Sequence, residues 1–501
     1  MTCRFFNFSL PHSERCVTAF KYGNLSRMIT MTNTNPPASP ASTTSRSFNE
    51  LPLSPDMQAN LRQLGYLAMT PIQAASLPIA LAGRDLIAQA KTGSGKTAAF
   101  GLPLLTNLNP RRFAVQAMVL CPTRELADQV TQEIRRLARA ADNIKILTLC
   151  GGSIMRTQTG SLEHGAHIVV GTPGRIMDHM ERGTLNLEAL NTLVLDEADR
   201  MLDMGFVDDI AFIAKRCPAQ RQTLMFSATY PDGIARLARQ FMRDPQEVKL
   251  AEQHEESKIR QRFYEVSNED RLQAVGTLLR HYRPVSTLAF CNTKQQCRSL
   301  LEALHAQGIK ALTLNGDLEQ RERDQVLIQF ANRSISVLVA TDVAARGLDI
   351  ARLEAVINVD ITPDPEVHIH RIGRTGRADE NGWALSLCSP ADQRRVIDIA
   401  QMMHIKPEWH ELGELKDADE AKLVPPMVTL QMLGGRKDKI RPGDVLGALT
   451  GEAGFTREQV GKITVTDQTT YVAVAREIAH EAVRKLAAGK VKGRAVKVRA
   501  L

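Results

Sequence analysis

The chain has 501 residues, room for roughly two to four domains of ordinary size. Hydrophobic residues at 43% and charged residues at 24% exclude a wholly disordered chain, and no apolar run is long enough to span a bilayer. A formal net charge of +8 points to a polyanionic partner, and eight cysteines without a C-x-x-C pair argue for buried reduced thiols over a disulfide framework or a zinc site.

Residues 1–47 read as a disordered N-terminal extension. "TMTNTNPPASPASTTSRS" (Thr30 to Ser47) is rich in Ser, Thr, Pro and Asn and cannot bury a core. The stretch before it lacks the long apolar region of a signal peptide. Its basic character fits an organellar transit peptide, but a misassigned start is the preferred expectation, with Met28 or Met31 as the true beginning.

From Phe48 onward short apolar strands alternate with helical patterns. A first domain, 48–250, holds "DLIAQA", "AMVLCP", "IKILTLCGG", "HIVVGTP", "TLVLDEAD" and "TLMFSAT". After the polar "AEQHEES" (Ala251 to Ser257) the alternation restarts over 258–405 with "STLAFCNT", "ALTLNGD", "SVLVATD", "AVINVD" and "ALSLCSP". Strands alternating with helices predict parallel sheets covered on both faces, so two α/β domains stand in tandem. Ligands of such sheets bind beyond the carboxyl ends of the strands, where every motif below falls.

The first motif is "AQAKTGSGKT" (Ala88 to Thr97), at a strand-to-helix turn. There backbone N–H groups and the positive end of a helix point the same way, toward an anion. Gly93, Ser94 and Gly95 leave room for a phosphate chain, Lys96 reaches the outer phosphates, and the Thr97 hydroxyl suits Mg²⁺. Alone, the string also fits an ordinary glycine-rich turn. Further on, "LVLDEADRM" places Asp196 and Glu197 just after an apolar strand. A Walker-type nucleotidase needs one carboxylate for the metal and one for the attacking water; a charged helix cap is the bland alternative. In the second domain, "HRIGRTGR" sets Arg374 and Arg377 three apart, on one face of a helical turn. Two guanidiniums there suit a γ-phosphoryl group in transfer, though alone the string reads as an exposed basic turn.

A linker, 406–424, leads to a basic segment, 425–501, with fourteen Lys/Arg against seven Asp/Glu. That lopsidedness suits RNA better than a merely solvated face. Its strands and helices run β-α-β-β-α-β, the order of an RNA-recognition-motif fold. The signature that normally supplies two stacking aromatics offers Tyr471 but also Thr469, with Met432 and Leu433 on the first strand, so an aromatic platform is not expected. Val472 and Val474 are expected in the core, and phosphate contacts from Lys and Arg carry the binding.

The ordered set resembles the DEAD-box RNA helicases from Phe48 to about Pro390. Phe48 with "GYLAMTPIQ" matches the Q motif. "AQAKTGSGKT", "PTRELA", "GG" (Gly151, Gly152), "TPGR", "DEAD" and "SAT" follow in the first domain. "LAFCNTK", "QRER", "ATDVAARGLD" and "HRIGRTGR" follow in the second. Residues 440–465 resemble the C-terminal domain of the DbpA subgroup.

The resemblance implies an α/β fold, two tandem RecA-like parallel-sheet domains followed by a small α+β RRM-like domain. It implies an ATP-dependent RNA helicase, with ATP and Mg²⁺ as cofactors. Phe48, Tyr66 and Gln73 would serve adenine; Thr92, Gly93, Ser94, Gly95, Lys96 and Thr97 the phosphates; Gly347 and Asp349 the ribose side. Asp196 with Thr97 would hold the metal, Glu197 would be the general base, and Lys96, Arg374 and Arg377 would complete the catalytic set. Pro122, Thr123, Arg124, Gly152, Thr172, Arg175, Arg323 and Thr341 would meet an RNA backbone, a contact that carries no base information. Ser227 and Thr229 would couple the two sites. Asn315 stands where the family usually has histidine.

Partners implied are large-subunit ribosomal RNA, through a 23S-type hairpin, and pre-50S particles, in the cytoplasm, with no membrane and no DNA. With the arginines and the P-loop on different domains, hydrolysis requires closure, and each ligand raises affinity for the other. An ATP-gated RNA clamp with incidental unwinding shares every motif, and a DNA-directed motor lacks any DNA-reading module.

Overall fold

The computed structural model describes residues 46–90, 93–230, 232–249, 259–345, 353–376, 381–415 and 423–501. Lobe 1 is built on seven parallel strands: β1 (Leu86–Gln89), β2 (Ala117–Leu120), β3 (Ile146–Leu149), β4 (Ile168–Gly171), β5 (Thr192–Leu195), β6 (Gln222–Ser227) and β7 (Gln246–Lys249), in the order β3-β4-β2-β5-β6-β1-β7. The central strands are apolar throughout because helices cover both faces. Leu86, Ala88, Ala117 and Val119 enter one core, and their neighbours Ile87, Met118 and Leu120 enter the other.

Lobe 2 repeats the plan with β8 (Ile259–Glu265), β9 (Thr287–Phe290), β10 (Ala311–Leu314), β11 (Val337–Ala340), β12 (Ala355–Asn358), β13 (Gly382–Cys388) and β14 (Trp409–His410), in the order β10-β11-β9-β12-β13-β8-β14. The stretch expected as a linker, 406–424, contributes residues to this sheet. Its residues Trp409 and His410 pair with Phe263 and Tyr264 of β8. The Trp409 ring packs 5.8 Å from that of Phe263, and Leu412, Leu415 and Leu423 pack onto the lobe's core. Anchors of this size override the stretch's polar composition, and these described residues of it pack with lobe 2.

The tail is a four-stranded antiparallel sheet of β15 (Met427–Leu433), β16 (Val460–Val465), β17 (Thr469–Ala475) and β18 (Val498–Ala500), in the order β16-β17-β15-β18. Helices Pro442–Gly447 and Ala479–Ala488 lie on one face. This is the expected β-α-β-β-α-β arrangement, with Val472 and Val474 wholly buried in its core. The six cysteines among the described residues are free and buried. No helix among them is long and apolar enough to cross a membrane.

Candidate active site and RNA-facing surface

The glycine-rich turn follows β1 at its carboxyl end. Gly93 and Gly95 take φ of 83° and 91°, which an L side chain resists, and helix Lys96–Thr106 starts at once behind them. A Cβ on Gly95 would stand 2.5 Å from the Gln73 amide. Gln73 caps its own helix by accepting from Thr70 N (2.9 Å) and donates to Gly95 O (3.0 Å), while Thr70 Oγ1 donates to Ser94 O (2.8 Å). Both ends of this amide thus brace the loop and the helix cap, which fixes the side chain expected at the adenine edge beside the turn. Tyr66 donates to Glu133 (2.6 Å) and stands edge-on to the buried Phe48 ring. Burial and that carboxylate raise its phenol pKa. Thr92, Gly347, Asp349 and Arg377 lie outside the described residues.

Lys96 is buried beside this turn and donates to Ala90 O (3.1 Å). Asp196 leaves β5 almost wholly buried. Burial pushes its carboxyl pKa up to about 6, against the pull of Lys96. Glu197, next in the chain, adopts φ 52° and ψ 53° and accepts from Arg200 Nη1 (3.0 Å). Both side chains of that pair are only 6% exposed. Asp199 accepts from Ala228 N (3.0 Å), Thr229 N (2.9 Å) and Thr229 Oγ1 (3.2 Å), and its own N–H donates to Ser227 Oγ (3.3 Å). The strand end that carries the two acids is thus tied to Ser227 and Thr229, the expected coupling pair. Asp199 and Arg200 were not anticipated as site residues. The signal was present, since Arg200 stands three residues beyond Glu197, one helical turn on.

Lobe 2 meets this segment across a cleft. Arg200 and Asp203 from lobe 1 share one cavity of about 30 Å³ with Phe290, Asp342, His370 and Arg374 from lobe 2. Arg374 is 4% exposed there. The His370 pKa is lowered, by burial first and then by Arg200. Arg371 holds the lobe 2 side in place. It is bidentate to Asp342 (2.7 Å each), donates to Asp360 O (2.6 Å) and stacks on Phe290.

The expected RNA residues fall into two groups. Arg124, Gly152 and Arg175 converge on Ser153: Arg124 Nη2 donates to its hydroxyl (3.3 Å) and Arg175 Nη1 to its carbonyl (3.0 Å). Gly152, at φ 71°, lies so close to Arg124 that a Cβ there would clash with the guanidinium. Pro122 follows β2, Thr123 caps helix Arg124–Leu137, and Thr172 precedes helix Pro173–Glu181 at the end of β4. On lobe 2, Thr341 follows β11 and opens the short helix Asp342–Ala345. Arg323, however, forms an ion pair with Glu125 of lobe 1 and donates to Ala344 O (2.7 Å). Its guanidinium is committed to a contact between lobes, beside Arg124, and not to an open surface.

Comparison with known proteins agrees with this geometry. The DEAD/DEAH box helicase family matches residues 70–237, the helicase conserved C-terminal domain 270–379 and the DbpA RNA binding domain 429–500. The chain is 52% identical to ATP-dependent RNA helicase DbpA of Escherichia coli over 91% of its own length and 99% of that protein. It is 45% identical to DEAD-box ATP-dependent RNA helicase CshA of Geobacillus kaustophilus, over 72% and 76%. Among solved structures, S. cerevisiae Dbp5 bound to RNA and ADP BeF3 superposes with a TM-score of 0.68 at 31% identity, covering 74% of this chain and 96% of that one. A nucleotide-type turn, paired acids and an arginine from the facing lobe thus accompany an RNA-binding tail, and the chain belongs to the DEAD-box ATP-dependent RNA helicases of the DbpA group.

Proposed function

We propose that this helicase opens short RNA duplexes near a 23S-type hairpin of large-subunit ribosomal RNA, to which its tail tethers it, during assembly of the large subunit in the cytoplasm. The observation that supports the reading is the small cavity that Arg200 and Asp203, just past the DEAD segment, share with Arg374, because it sets the arginine-bearing lobe beside the strand end that carries the paired acids. Lys96 and the amides of Gly93, Ser94 and Gly95 bind the triphosphate. Glu197 takes the proton of the attacking water, and Arg374 with Arg377 offsets charge on the transferring group. Gln73, Tyr66 and Phe48 serve the adenine end, and Gly347 and Asp349 the ribose side.

The residues fit Mg²⁺. Among the described residues no three His, Cys, Asp or Glu converge as a metal cage. A single buried carboxylate, Asp196, with the Thr97 hydroxyl suits a cation that keeps waters and phosphate oxygens as its other ligands. Held by Thr97 and Asp196, it would supply charge neutralisation at the phosphates.

Pro122, Thr123, Arg124, Gly152, Thr172, Arg175 and Thr341 offer donors and small surfaces to a sugar-phosphate backbone. Arg323 contributes by holding the lobes together next to them. The +7 balance of the tail and its match to a DbpA-type domain support the ribosomal RNA address. Tethering raises the local concentration of duplex around a core that reads no bases.

The test is ATP turnover and strand displacement on RNA panels with and without a large-subunit rRNA hairpin. Preference for the hairpin-bearing RNA is expected, and equal rates on all RNAs would remove the address. Glu197→Gln is expected to keep ATP binding and lose about 100-fold or more in turnover. Undiminished hydrolysis would rule out Glu197 as the base.

A further inference from the structure

The carboxylate of Glu197 rests on one neighbour. It accepts from Arg200 Nη1 at 3.0 Å, and both side chains are only 6% exposed. Among the described residues no other donor reaches that carboxylate. Arg200 is fixed from its backbone side, where its N–H donates to Asp199 Oδ1 (3.0 Å). Asp199 in turn accepts from the amides of Ala228 and Thr229, at the end of β6. The guanidinium therefore stands on a short helix, Ala198–Asp203, whose first turn is anchored to a neighbouring strand end.

Helix stabilisation is the simpler reading of the pair, since the two residues are three apart. Exposed pairs at that spacing add little to a helix, and a buried pair also loses the hydration of both charges. Apolar side chains of similar volume would serve the helix as well or better. The place of the pair speaks for another use. Glu197 sits at φ 52° and ψ 53°, a backbone that residues with a Cβ rarely adopt, so its direction off β5 has to be imposed from outside. A base that takes a proton from one water must point at one place, and an error of about 1 Å costs about 100-fold. Arg200 supplies the fixed point. It also lines the cavity to which lobe 2 brings His370 and Arg374, so the holder of the carboxylate stands where the lobes meet.

We propose that Arg200 is a positioning residue for ATP hydrolysis, its guanidinium aiming the Glu197 carboxylate at the attacking water. The proposal rests on the reading of Glu197 as the general base. Arg200 acts through that carboxylate and needs no contact of its own with the nucleotide.

The experiment is a double-mutant cycle on the full chain at saturating RNA. Arg200→Met removes the charge and the donors while keeping a long side chain, and Arg200→Lys keeps a charge. Each is made alone, and Arg200→Met is also combined with Glu197→Gln. Steady-state turnover gives kcat and KM, and nucleotide titration gives ATP affinity. We expect Arg200→Met to lower kcat roughly tenfold or more, with KM for ATP within about twofold of wild type. Arg200→Lys should recover part of the loss. In the Glu197→Gln chain, Arg200→Met should lower the residual turnover no further, because a residue that works through the base has nothing left to place. An equal fold-loss in both backgrounds would overturn the proposal, as would wild-type kcat in Arg200→Met. If Arg200→Met alone bound no ATP, the combined variant still decides, since it buries no unpaired carboxylate: turnover equal to that of Glu197→Gln supports the proposal and a further loss overturns it. Full turnover in Glu197→Gln itself would defeat the base reading first, and this proposal with it.

Discussion

Glu197 and His368 show how single residues are held in costly environments. A non-glycine residue at φ 52° stores strain, and at Glu197 it turns the carboxylate off the end of β5 toward Arg200. Such a residue needs surroundings that over-determine it. Asp196 accepts from Glu197 N (3.0 Å), and Asp199 fixes the next turn against the Ser227–Thr229 segment. His368 pays a different cost. It is wholly buried against Phe263, and neither ring nitrogen has a hydrogen-bond partner among the described residues. Burial, then Arg371, pushes its pKa down to about 3. The unfolded chain binds a proton near pH 6.5 and the folded one does not, so stability is lost as pH falls from about 6.5 toward 3. His368→Leu should remove that loss and gain about 2 kcal/mol at about pH 5 relative to its effect at about pH 8, read by urea unfolding at both. Equal effects at the two pH values would mean that His368 does not drive acid lability.

At the scale of elements, the central parallel strands were legible because burial on both faces demands unbroken apolar runs. β7, β8 and β14 were not. β7 is an edge strand with one deeply buried position, Val248. β8 carries Arg260 and Arg262, whose guanidiniums lie over the Trp383 ring at 5.4 and 4.9 Å, so its charged residues pack as flat surfaces. β14 hides in a polar stretch, and only Trp409 marks it. Trp409→Ala should cost lobe 2 about 1 kcal/mol in urea unfolding, the worth of one ring pair, and should speed amide exchange in β8. Unchanged exchange in β8 would detach β14 from the sheet. At the site, spacing placed the phosphate turn and the two acids. It could not show that Gln73 braces the turn or that Arg323 pairs with Glu125, since both depend on partners distant in sequence.

For the whole molecule, the two lobes touch at the places where the proposed nucleotide and RNA residues gather. Arg323 reaches Glu125 beside Arg124, and Arg374 shares a cavity with Arg200 and Asp203. An ion pair as sheltered as Arg323–Glu125 costs about 3–5 kcal/mol when only one partner is removed. Where both ligands bind the arrangement that makes these contacts, they share one closure equilibrium. The most direct measurement is the affinity of the Glu197→Gln chain for ATP with and without saturating RNA, and for RNA with and without saturating ATP. Glu125→Gln is placed in the same background as a lobe-contact variant. Shared closure requires the two enhancements to be equal, about 5- to 150-fold, and smaller in the Glu125 variant. ATP affinity indifferent to RNA, in a chain that binds both, would contradict a site assembled by closing the lobes.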